Sequence, residues 1–164
     1  MSIDDALRVK VHRLVHDYVG GDTIPADLTT EPAAIRCGTA IVYLRLVASA
    51  VATEQPVLRL FSPLLRNVER SPELLDELND LNGRLNFLRI FWRDSAVYAA
   101  AELLATTLTA TELSNACDWL SDAADYYDVR LQARFGGDLA FEPPPTSDHP
   151  ADTPSPTKIA KAAQ

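Results

Sequence analysis

With 164 residues, 47% hydrophobic and 23% charged side chains, the chain can build one domain with its own core and needs no disulfide or metal staples. Its 23 acidic residues outnumber 15 basic ones, for a formal net charge of −8; this opposes non-specific attachment to nucleic acid or anionic lipid, because both repel an acidic surface. The opening Met1–Lys10 holds two aspartates and no apolar run, unlike a secretory leader, and no stretch approaches the ~18 apolar residues of a spanning helix, so the expectation is a cytoplasmic protein with neither DNA binding nor membrane insertion.

Residues Ile3 to Val19 read as a helix: Ile3, Leu7, Val11, Leu14 and Tyr18 recur every three or four residues as one apolar stripe. Ser2 or Asp4 can cap it, and Gly20-Gly21 stop it. After a loop with Pro25 and Pro32, Ala34 to Val51 turns β-like. Ile41 to Val47 is rich in branched residues, and Gly38 before it marks a turn or bulge. Gln55-Pro56 opens a short strand, Val57 to Phe61, which Pro63 is expected to limit. Ser71-Pro72-Glu73 starts a second helix with a cap, a first-position proline and an acid in the first turn. Leu74, Leu78, Leu81 and Leu85 continue its stripe, and Gly83 ends it early. Phe87 to Arg93 and Val97 to Leu103, joined by a short polar link, read as a β-hairpin. Thr109 and Glu112 form a capping box, followed by Leu113, Cys117, Leu120, Ala124, Tyr127, Leu131 and Phe135 at helical spacing and a stop at Gly136-Gly137.

Beyond Phe141 the composition changes. Six of the eleven prolines fall there with almost no large apolar residues, so residues 143–164 are expected to be a disordered tail and residues 1–142 the folded domain. The order α-β-β-β-α-β-β-α, with hairpins and helices segregated, predicts an α+β fold whose mainly antiparallel sheet packs on helices.

Few residues point to chemistry. His12 and His16 stand one helical turn apart, a metal-ligand spacing, but Arg13 occupies the place where zinc protease helices carry their glutamate. Both lie opposite the apolar stripe, so no metal is expected. Asp118, Asp122, Asp125 and Asp128 crowd one side of the last helix; a straight helix cannot close a calcium loop, and they read as a solvated acidic face. Cys37 and Cys117 lack Cys-x-x-Cys spacing and read as small buried apolar residues, with a bridge between them left open. Serine elbows, phosphate loops and dinucleotide fingerprints are missing. The chain is expected to have no catalytic residues and no cofactor.

The informative feature is the sheet. Alternation separates Leu88, Ile90 and Trp92, all apolar, from Phe87, Arg89, Phe91 and Arg93. Tyr43 and Arg45 alternate likewise, and so do Arg59 and Phe61. A face that mixes aromatics with guanidinium groups has the composition of an interface, which makes these eight residues the candidate site. A loop, the second helix or a dimer mate could equally cover it. Arginine interleaved with aromatics also suits single-stranded RNA, a reading the net charge disfavours.

Leu74–Leu104 (LLDELNDLNGRLNFLRIFWRDSAVYAAAELL) and Thr109–Gly137 (TATELSNACDWLSDAADYYDVRLQARFGG) together resemble the actinobacterial YbjN-like branch of the type III secretion chaperone-like superfamily. The likeness spans Ile3 to Gly137: a leucine–asparagine helix, an aromatic strand, a tyrosine-bearing strand and an acidic helix. It implies the same α-β-β-β-α-β-β-α domain, often a homodimer, without catalytic residues, that holds an extended segment of a protein or peptide client. The alternative is an oligomeric scaffold or regulator whose mixed face is used up by self-association.

Overall fold

A computed structural model describes residues 3–20, 23–48 and 55–141. The expected tail, and the end of the β-like run through Val51, lie outside the described residues. The elements are α1 (Asp5–Val19), β1 (Ala33–Cys37), β2 (Ala40–Val47), β3 (Val57–Arg66), α2 (Pro72–Asn82), β4 (Arg89–Arg93), β5 (Ala96–Leu104), α3 (Ala110–Phe135) and a two-residue β6 (Asp138–Leu139). Apart from β6, this is the expected order. Among the described residues no helix is long and apolar enough to cross a membrane.

The strands form one antiparallel sheet in the order β1-β2-β3-β5-β4, with β6 added beside β3. Hairpin β4–β5 therefore folds back, so that β5 pairs with β3 and β4 is left at the edge. Helix α3 crosses the sheet over β2, β3 and β5, with α1 beside it and α2 against β4. Alternation decides which residues meet the helices: Val42, Leu44, Leu46, Leu58, Leu60, Ile90 and Val97 are almost wholly buried and pack with Leu113, Leu120 and Leu131 of α3. The opposite parity faces away from the helices.

The expected caps are in place. Asp4 accepts from the Leu7 N–H at 2.8 Å and Ser71 from the Leu74 N–H at 3.1 Å. At α3 the Thr109 hydroxyl accepts from the Glu112 N–H at 3.2 Å, while the Glu112 carboxylate accepts from the Thr109 N–H at 2.9 Å. Thr109→Ala removes the first bond and leaves the Glu112 N–H without its side-chain acceptor, while the backbone N–H of residue 109 keeps the second, so a denaturant titration is expected to show a loss of about 1 kcal/mol. No loss would mean that water satisfies these donors equally well.

Two expectations about the strands are corrected. Pro63 does not end β3, which runs on to Arg66. The ladder to β5 shifts register between Pro63 and Leu65, and such a bulge accommodates a residue with no N–H to donate. Phe87 is not in a strand at all: β4 begins at Arg89, and Phe87 has φ +62°. The hairpin turn is Asp94-Ser95, both at positive φ, the type I′ geometry that fits the twist of two-residue hairpins. Gly137, at φ +84°, lies where an added Cβ would stand 2.5 Å from Val68 and 2.7 Å from the Arg66 carbonyl, so glycine lets the chain leave α3 closely along β3.

Candidate functional site

Seven of the eight candidate residues come together on the sheet face turned away from the helices. One row runs across all five main strands, Ala34–Tyr43–Phe61–Ala100–Arg89, each member the register partner of the next. Beside it on one side, Tyr98 pairs with Phe91; on the other, Arg45 pairs with Arg59 and Arg59 with Glu102. The aromatics stack in pairs: Tyr43 on Phe61 with centroids 5.2 Å apart, and Phe91 on Tyr98 at 5.7 Å. Ala100, small and buried between Phe61 and Arg89, leaves an open depression of about 640 Å³ lined also by Arg45, Arg59, Phe91, Arg93, Asp94 and Tyr98.

Glu102 organises the charges. One carboxylate oxygen accepts from Arg59 Nε at 2.7 Å and from Arg89 at 2.9 Å. Partial burial raises its pKa, but the hydrogen bonds from Arg89 and Arg59 outweigh this and hold the carboxyl below the usual carboxylate range. Arg93 pairs with Asp94 in the turn at 3.1 Å. Arg45 donates to the Thr29 carbonyl at 3.3 Å. Arg89 also stands 5.9 Å from the Phe91 ring centre.

Phe87 is the exception. It is 80% exposed and stacks on Trp119 of α3 at 5.3 Å, on the helix side of the sheet. Sequence alternation missed Tyr98, Ala100 and Glu102, which complete the face. Their signal was the same parity along β5, but their contact with Arg59 and Phe61 depends on β5 lying beside β3.

The edge strand β4 is partly closed to a further strand. The Asn82 side chain accepts from the Ile90 N–H at 2.7 Å and donates to the Ile90 carbonyl at 2.8 Å, occupying the groups an added strand would use.

The other polar residues singled out in the sequence stand apart from this face. His12 and His16 stack at 6.4 Å on α1, and among the described residues no group of three metal-ligating side chains forms. The acidic side of α3 is less detached than expected: Asp125 accepts from Thr39, and Asp118 and Asp122 border a depression with Tyr18 and Cys37.

The cysteines are free thiols, Cys117 buried and Cys37 only partly so, which corrects the reading of both as buried apolar residues. The hydrogen bond from Cys117 lowers the Cys37 pKa to about 7, with Tyr18 assisting and partial burial and Asp118 opposing. Cys117 moves up through that same bond and through burial, and Tyr18 moves up mainly through burial. Because the thiolate is the nucleophile, the alkylation rate of Cys37 by iodoacetamide is expected to reach half its plateau near pH 7, with Tyr18→Phe moving that point upward. A midpoint at the ordinary thiol value of about 8.5 would show that Cys117 and Tyr18 do not donate to it.

No curated protein matches the chain. Among solved structures, a chain of the ExsC–ExsE complex superposes with a TM-score of 0.60 at 21% identity, covering 75% of this chain and 94% of that one, a likeness of fold. The family described as T3SS (YopN, CesT) and YbjN peptide-binding chaperone 1 matches residues 5–143, most of the chain, and the protein belongs to this family of peptide-binding chaperones.

Proposed function

We propose that this protein is a non-enzymatic, chaperone-like module of the cytoplasm that holds an extended polypeptide segment on its mixed sheet face. The observation that carries the reading is an open depression where Phe61, Phe91 and Tyr98 stand beside Arg45, Arg59 and Arg89, with Tyr43 stacked on Phe61. Aromatics supply apolar anchors at low entropic cost, and arginine bonds the carbonyls and acids of an extended chain. The shape is a sheet surface with no deep enclosed pocket, which suits side chains projecting at every second residue of a strand-like client. Membership of a peptide-binding family supports the same reading.

The alternative, self-association through this face, is opposed by its charge. In a two-fold dimer the same patch meets itself, so four guanidinium groups of one copy would confront four of the other. This charge favours another surface for any homodimer. Capture with the full chain as bait, together with light scattering of the purified protein, tests the proposal. The expected complex contains one polypeptide client on the mixed face, and loss of a dimer on mutating that face would refute it.

A further inference from the structure

Resting on that reading of the mixed face, we infer that the client segment is acidic: carboxylate side chains alternate with apolar ones, and the carboxylates enter the site by taking over the arginines that Glu102 now holds. Four guanidinium groups, those of Arg45, Arg59, Arg89 and Arg93, line one depression in a chain whose formal net charge is −8. Among the described residues two carboxylates answer them, Asp94 at the turn and Glu102 on β5. Arg45 and Arg59 are direct cross-strand partners, an arrangement of like charges that weakens a sheet. Among the described residues no carboxylate pairs with Arg45. Glu102 serves two arginines with a single oxygen, whereas a guanidinium is built to hold a carboxylate through two parallel bonds. The face therefore lacks anions that a ligand can bring.

The spacing sets the pattern of that ligand. The arginine pair Arg45–Arg59 and the stacked pair Tyr43–Phe61 are two residues apart along their strands, so about 7 Å separates them. An extended client projects successive same-side residues at the same interval. A carboxylate over Arg45 and Arg59 thus places a large apolar side chain, two positions on, over Tyr43 and Phe61. Nucleic acid is the other polyanion, and the protein disfavours it. The remainder of the surface is strongly acidic, and the four rings that might stack on bases already spend a face on one another.

Fluorescence anisotropy with the full chain tests this using three labelled probes: a dodecapeptide alternating Leu with Glu, the same peptide with Gln for Glu, and a twelve-residue oligouridine. The Glu peptide is expected to bind at least ten-fold more tightly than the Gln peptide at low salt, with the difference shrinking as salt screens the charges. Arg59→Gln with Arg89→Gln is expected to lower Glu-peptide affinity at least ten-fold and Gln-peptide affinity clearly less, because the Gln peptide offers these arginines only its neutral carbonyls. Glu102→Gln is expected to raise Glu-peptide affinity several-fold, because it releases both arginines. Arg45→Gln, an exposed position, gives a second test should the double variant fold poorly, and is expected to act in the same direction. Equal binding of the Glu and Gln peptides would overturn the acidic client and leave peptide holding intact. Tighter binding of oligouridine would replace the client with nucleic acid. Failure of both peptides would sink this inference and the proposed function together.

Discussion

Ile90→Ser is expected to unfold the domain or bring it to the edge of unfolding. Ile90, the second residue of β4, is fully buried in the strand that α2 packs against. Cutting a buried isoleucine back to a small side chain costs about 2–5 kcal/mol through lost transfer energy and the cavity left behind. A hydroxyl stranded in that cavity adds about 1–3 kcal/mol. Domains of this size hold only about 5–15 kcal/mol in all, so a fall in thermal midpoint of ~15 °C or more follows, read by circular dichroism and by protease resistance. The bonds between Asn82 and the Ile90 backbone survive the substitution, so the effect reports on the side chain alone. A variant melting within a few degrees of the wild type would put Ile90 outside the core, and the two faces of β4 would have to be exchanged.

Where the sequence was legible, a local rule and the tertiary structure agreed. Capping chemistry marked Ser71 and Thr109, periods of three and four marked the helices, and strict alternation separated Ile90 from Arg89 and Phe91. Each of these signals is carried by neighbours along the chain. Phe87 misled because alternation ran on one residue pair too far: the parity was right for a strand, but φ +62° turns that residue out of the sheet, and Trp119 receives its ring. Pro63 misled in the opposite sense, since a bulge lets a strand continue through a residue that cannot donate. Glu102 was invisible for a different reason. It faces Arg59 across a pairing of β3 with β5, and strand order is a long-range property that periodicity does not contain. The coupling of Cys37 with Cys117 and Tyr18 has the same origin, for it needs β1, α1 and α3 to meet.

Changing Arg89 and Phe91 together to Ser is expected to abolish capture of a client while leaving the chain folded. Both side chains stand on the open face, Arg89 exposed and Phe91 half-buried against Tyr98. The ion pair of Arg89 with Glu102 is a surface one, worth little to folding, and the lost ring stack costs about 1 kcal/mol, so the thermal midpoint should fall by only several degrees. Binding is more sensitive than stability, because a few aromatic and arginine anchors carry most of an interface's free energy, and this variant removes one of each from the same depression. It also leaves Glu102 to Arg59 alone, which strengthens that pair at the expense of an incoming carboxylate. Light scattering on wild type and variant separates the explanations. Loss of client with an unchanged oligomeric state supports the mixed face as the client surface. Conversion of a wild-type dimer into a monomer would make that face a self-association surface. A collapse in stability comparable with that of Ile90→Ser would mean that Arg89 and Phe91 face the core, and undisturbed capture would move the client to another part of the molecule.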